Sequence, residues 1–246
     1  MKVSKTQKAK IRDDLLKAAV ALFTEKGALA ATMREISSRA GYSAGTIYSY
    51  FPSKDKIFSA YFESQQAALF ATLSEIDDFN DYTLKEKLQS LFEMLLETYL
   101  PDREFIVIAY KSLMDSPMRS FSELKPIKDR FAAEVEAFLR VAVENNEIAP
   151  QPFERFLSHL VWDYKNLIVM YWLRDDSEGF VNTSRLIDMS LDVFVAAVSS
   201  GIVTKTADVC LFLLRSHLFG NIDRLFDVVN IFSGMRPAGV PTRDGE

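Results

Sequence analysis

The 246-residue chain has a single cysteine, Cys210, so no disulfide can form within it. The ordinary role of such a thiol is that of a small buried hydrophobe, and a reducing, cytoplasmic setting is expected. The two histidines, His159 and His217, have no second His or Cys at metal-ligand spacing, so neither a metal nor another cofactor is expected. No glycine-rich phosphate loop follows a strand and no Gly-x-Ser-x-Gly elbow occurs, which leaves enzymatic chemistry little support. A run of ~18 consecutive apolar residues, the length of a membrane-spanning helix, is missing too. The sequence from Met1 to Lys5 leads into charged residues with no apolar export segment, so no membrane partner is expected. No alternating pattern of convincing length suggests β-strands, and there is no internal repeat or low-complexity tract.

What is present is a globular composition, 48% hydrophobic, with length enough for a substantial core. The net charge of −5 argues, taken alone, against nucleic acid. Its distribution reverses that argument. Residues 1–62 hold eight Lys and three Arg against five Asp and Glu, a net of +6, which leaves −11 on the remaining 184. A basic head on an acidic body concentrates attraction for phosphate at one end.

Helical periodicity runs along the chain. Lys2, Lys5, Lys8, Lys10 and Arg12 read as a loose basic arm. Ile11, Leu15, Ala18, Ala19, Leu22 and Phe23 fall on one face of a helix over 10–26, ended by Gly27. Helices are expected at 33–40 and 44–50, then a long one from Lys54 to about 74. In the body, Thr83 and Glu86 form a capping box for a helix that stops at Pro101. Further helices are expected near 103–115, 120–145 and 152–174, from Thr183 or Ser184 to about 199, and over 204–219 and 221–232. The tail at 235–246, with two prolines and two glycines, reads as disordered. The fold class is all-α: a helix-turn-helix head over 1–62, joined by a long helix to a helical body over 63–234 with two extra C-terminal helices.

Residues 32–62 are the most specific stretch. Thr32 and Glu35 form a capping box, and Ile36 and Ala40 give the helix a small apolar face. Gly41 suits a helix end that needs positive φ. Ser43 can cap a second helix, whose inward side chains are Ile47 and Phe51. Pro52 ends it, and Ser53 caps the next. Two short helices about a glycine turn form the DNA-reading helix-turn-helix arrangement. Ala44, Thr46 and Ser49 are short enough to reach base edges, and Gly45 lets the backbone come close. With Ile47 and Phe51 inward, Tyr48 faces out.

The string Thr32, Ile36, Ala40, Gly41, Ser43, Gly45, Thr46, Ile47, Tyr48, Tyr50, Phe51 and Lys54 resembles the TetR-type transcriptional regulators. The resemblance covers about the first quarter of the chain. It implies a homodimer that binds a double-stranded DNA operator, with a body that binds a small-molecule effector. It also implies that Thr32, Tyr48, Tyr50 and Lys54 meet backbone phosphate, as helix N-termini favour anions. The two helices expected over 204–232 depart from the family's usual end.

A second group lies on the aromatic helix 152–174. His159, Trp162, Asp163 and Asn166 are spaced i, i+3, i+4 and i+7, a face that can line a cavity, with Tyr110 and Met114 from the preceding bundle facing the same space. The bland alternative is a core helix or one packed on a second subunit. An Asp163 buried there would need a partner. The reading is a ligand-responsive repressor, released by a mainly apolar molecule. A DNA-binding regulator without an effector, and a helical enzyme or carrier with a vestigial head, remain the alternatives.

Overall fold

The computed structural model describes residues 4–115, 117–151, 154–201 and residue 205. The helices expected over 204–232, the tail at 235–246, Cys210 and His217 lie outside the described residues. Within them the chain is all-helical: α1 (Lys5–Ala30), α2 (Met33–Arg39), α3 (Thr46–Tyr50), α4 (Lys54–Leu73), α5 (Leu84–Tyr99), α6 (Arg103–Asp115), α7 (Pro117–Glu144), α8 (Glu154–Trp172) and α9 (Val181–Ser199).

The basic arm is not loose from Lys5 onward. It forms the first turns of α1, because the Ser4 hydroxyl accepts from the Gln7 amide at 3.1 Å and caps the helix. Two i,i+4 ion pairs, Lys10–Asp14 at 2.7 Å and Lys17–Asp13 at 2.8 Å, support it further. Gly27, at φ 79°, interrupts the last turns, a conformation open to glycine without strain. Both capping boxes form, Thr32 with Glu35 and Thr83 with Glu86. Helix α7 begins at Pro117, before the expected start near 120, and runs through Pro126; proline suits a first helical position.

Helix α9 starts before Thr183, the expected cap. The buried Asp175 carboxylate takes that residue instead, accepting from the Thr183 amide at 2.9 Å and hydroxyl at 2.6 Å. It also accepts from the Ser177 amide at 3.0 Å and hydroxyl at 2.6 Å. Donors from Ser177 and then Thr183 hold its carboxyl well below the usual carboxylate range.

Head and body share one continuous core. Phe23 of α1, Phe58 of α4 and Phe105 of α6 meet with ring centroids 5.3, 5.8 and 6.3 Å apart, all essentially fully buried. Each ring contributes roughly 1.5–3 kcal/mol by burial. In the body, α4, α5, α6, α7 and α8 surround an internal space, and α9 packs on α5 and α8. Arg103 fastens α6 to the end of α8, donating to the carbonyls of Trp172 at 2.9 Å and Asp175 at 3.1 Å. Its guanidinium also lies over the Trp172 and Phe180 rings.

Candidate nucleic-acid interface and internal cavity

The turn between α2 and α3 is built from inside. Gly41 sits at φ 79°, and its amide and that of Tyr42 bond back to the carbonyls of Ser38 and Ser37 at 3.0 and 2.9 Å. The buried Ser37 hydroxyl donates to the Ser43 carbonyl at 2.5 Å, and the Tyr42 hydroxyl donates to Asp14 of α1 at 2.7 Å. Arg39 grips Glu25 of α1 through two bonds of 2.5 and 2.6 Å, the bidentate geometry that gives an ion pair direction. The position of α3 against α1 is therefore preset.

Helix α3 is short, five residues, and its N-cap is Gly45 with no side-chain bond. Ser43 does not take the capping role expected of it. Its hydroxyl meets the Thr46 hydroxyl at 2.8 Å, and Ala44 and Gly45 form a turn ahead of the helix. Ile47 is fully buried and Phe51 is 2% exposed, whereas Tyr48 is 52% exposed. Ser43, Ala44, Gly45 and Ser49 are also exposed, and Thr46 and Tyr50 are half-buried. Tyr50 packs against the core. A Cβ added at Gly45 would meet nothing within 4 Å, so the fold itself does not require glycine there.

The two positions expected to bind phosphate through helix starts are already engaged. The Thr32 amide donates to Glu35 Oε2 at 2.8 Å and the Thr32 hydroxyl accepts from the Glu35 amide at 3.2 Å. The Lys26 ammonium, 2.7 Å away, and then the Thr32 donors pull the Glu35 carboxyl down to about 2. Lys54 turns its ammonium onto the carbonyls of Ala28 at 2.5 Å and Leu29 at 3.2 Å, closing the end of α1 as cations do at helix C-termini. Arg34 was not singled out from the sequence. It is exposed on the first turn of α2, beside Thr32, and has no ion pair among the described residues. The signal was its position one residue inside a capped helix start.

The body holds a cavity of about 430 Å³ lined by α4, α5, α6, α7 and α8. Trp162, Asn166 and Tyr110 line it, together with Phe62, Gln66 and Tyr99. The Tyr110 hydroxyl donates to Asn166 Oδ1 at 3.1 Å, and burial pushes both the Tyr110 and the Tyr99 phenols well up. His159 and Asp163 are not among the lining residues. Asp163 is exposed and pairs with Lys128 of α7 at 3.2 Å, so the partner a buried Asp163 would have needed does not arise. Met114 lies in the last turn of α6, with its side chain outside the described set.

The inward stripe of α8 runs through Trp162, Lys165 and Val169, one step round from the face expected. Lys165 is 5% exposed and lines the cavity, its Nζ 3.6 Å from the Trp162 ring centroid. Burial lowers its pKa to about 7, against the opposing pull of the Asp163 charge. Lys165, between Tyr164 and Asn166, is not among the residues the sequence singles out, because a lone lysine carries no local signal of burial.

The family model described as "Bacterial regulatory proteins, tetR family" matches residues 15–61, and that described as "Tetracyclin repressor-like, C-terminal domain" matches residues 87–213. The HTH-type transcriptional repressor KstR2 of Mycolicibacterium smegmatis is 32% identical over 129 residues, covering 51% of this chain and 62% of that protein. KstR2 of Mycobacterium tuberculosis is 37% identical over 81 residues, 33% of this chain and 40% of that one. The chain thus spans less than two thirds of these relatives' length. Among solved structures, the TetR transcriptional regulator of Nitrosomonas europaea superposes with a TM-score of 0.58 at 19% identity, covering 75% of this chain and 97% of that one. The fatty acid degradation regulator FadR of Bacillus halodurans gives 0.56 at 19% identity, covering 73% and 93%. At such identities the likeness concerns the fold.

Proposed function

The chain belongs to the TetR family of bacterial regulatory proteins, a class of regulators rather than enzymes, and we propose that it is a cytoplasmic homodimeric repressor released from its operator by a small, mainly apolar molecule. The observation that carries DNA recognition is α3 with the braced turn ahead of it: Ile47 is buried, while Ala44 and Gly45 of the turn and Tyr48 and Ser49 of the helix are exposed. Short side chains and one aromatic favour close approach of the backbone and contact with phosphate over long-range readout. Arg34, Lys5 and Lys8 add positive charge on the same head. Repression, rather than activation, is supported by the KstR2 relatives.

The division of labour is a head over 1–62 and a body over 63–234, with α4 belonging to both. Dimerisation is supported by an apolar face on α8 and α9 that has no partner among the described residues. Phe156, Leu167, Val181, Met189 and Val193 are each more than half exposed there, more than an isolated surface helix pair tolerates. Two-fold symmetry would place two copies of α3 about one DNA turn apart, ~34–36 Å.

Effector control follows from α4. It begins at Lys54 against the end of α1 and lines the cavity with Phe62, Gln66 and Leu69. A ligand that fits better when α4 is displaced draws the pair of heads away from the spacing DNA requires. In vitro selection of bound DNA by the full chain tests the function. The expected outcome is an inverted repeat, bound with an affinity that falls steeply with salt. Failure to enrich any sequence would overturn the reading.

A further inference from the structure

The cavity contains an unexplained charge. Lys165 is nine-tenths buried, yet no ion pair or hydrogen bond reaches its ammonium among the described residues. Its companions are the Trp162 ring at 3.6 Å and the Phe131 ring at 5.9 Å. A cation–π contact recovers part of the lost hydration, but a buried lysine without a carboxylate is costly and uncommon. Among the described residues the rest of the lining is apolar apart from Gln66, Tyr99, Tyr110 and Asn166, all neutral side chains.

We propose that the effector is an amphipathic monoanion, an apolar body ending in a carboxylate, with the carboxylate held by Lys165 and the body lying against Phe62, Leu69 and Phe131. This rests on the cavity being the effector site. One cation favours one negative charge: a dianion such as a phosphate monoester would bury a second charge with nothing to meet it. The polar neighbours fit the same head group. Asn166 keeps an amide beside Lys165, and the Tyr110 hydroxyl already bonded to it can turn to donate to a carboxylate oxygen. A volume of about 430 Å³ suits a body of roughly ten to fifteen carbons within the usual range of ligand sites.

Titration calorimetry of the full chain with decanoate and with decanamide, its neutral isostere, tests the assignment. Decanoate is expected to bind at least tenfold more tightly. Lys165→Met should remove that preference, so that decanoate binds the variant no more tightly than decanamide does, and Lys165→Arg should retain it. Equal affinities in the wild type, or a preference that survives Lys165→Met, would overturn the head-group assignment while leaving the cavity as a binding site. Binding of neither compound would overturn the cavity reading and the head group together.

Discussion

The Gln66 side-chain amide donates to the main-chain carbonyl of Ile127 at 3.2 Å. This bond joins α4 to α7 at one edge of the cavity. Gln66 also borders a second cleft of about 260 Å³ between head and body, where Arg12, Lys56, Glu63 and Glu123 gather. Arg12 of α1 pairs there with Glu63 at 3.1 Å, and Lys56 pairs with Glu123 of α7. One buried amide therefore borders both the proposed effector site and the joint that orients the head. Gln66→Leu preserves volume but removes the bond, so stability should fall by about 1 kcal/mol. Operator affinity without ligand should stay within threefold, while the ligand's effect on it, ~1–3 kcal/mol for a typical coupling, should shrink. Fluorescence anisotropy on labelled operator with and without decanoate reads both quantities. Undiminished release would remove Gln66 from the coupling route.

Tyr48 and Gly45 separate DNA contact from folding. Tyr48 is half exposed and Gly45 has open space around its Cα. Tyr48→Phe should weaken operator binding with little change in melting temperature. Gly45→Ala should leave folding intact, since its φ is ordinary, and should weaken binding tenfold or more if the backbone there touches DNA. A Gly45→Ala protein with unaltered affinity would place the DNA backbone farther from α3.

Lys54 has two candidate roles that different readouts distinguish. Its bonds to Ala28 and Leu29 carbonyls imply that Lys54→Ala lowers the melting temperature. A phosphate contact implies in addition that the slope of log affinity against log salt flattens by roughly one unit. A lower melting temperature with an unchanged slope identifies the residue as a helix clamp and nothing more.

Much of this architecture was legible because local chemistry and tertiary position agree. The capping boxes Thr32–Glu35 and Thr83–Glu86 marked helix starts that the structure keeps, and Gly41 marked a turn that needs positive φ. Legibility failed where a distant partner decides. Thr183 is a plausible cap, but Asp175, eight residues earlier, claims it. Residues 159, 162, 163 and 166 share a helical face about 100° wide. Only the positions of α7 and α9 decide which edge of that face turns inward, and they chose Trp162 and Asn166. Lys165 was invisible for the opposite reason: residue type alone predicts exposure, and no local pattern signals a lysine enclosed by rings from its own helix and from α7.

The apolar face of α8 and α9 gives a prediction about assembly. Val193 is 71% exposed and Leu167 64%. Val193→Asp places a charge at the centre of the proposed interface, where it costs little in an isolated subunit. The protein should become monomeric by analytical ultracentrifugation and lose most operator affinity while its helical content stays the same. A variant that remains dimeric would show that another surface makes the dimer.

The buried lysine also predicts how stability depends on pH. Folding lowers the Lys165 pKa from its ordinary 10.5 to about 7, so between those values the unfolded chain binds more protons than the folded one. Stability should therefore rise with pH across this window, because the penalty of burying the charge is present in full below pH 7 and is relieved as pH rises. The limiting slope is about 1.4 kcal/mol per pH unit. Among the described residues the titratable groups that line the cavity with Lys165 are Tyr99 from α5 and Tyr110 from α6, both pushed upward and neutral in that range. Gln66 of α4 and the apolar cavity-lining side chains of α7 do not titrate, and Asp163 on its own helix acts on Lys165 in the opposite direction to burial. Urea unfolding between pH 7 and 9 isolates the effect from the phenols, which ionise above it in the unfolded chain. Lys165→Met should be more stable than wild type at pH 7, and the gap should narrow by pH 9. A gap that stays constant would mean that Lys165 remains protonated in the folded protein across this range, held by an acceptor the cavity supplies.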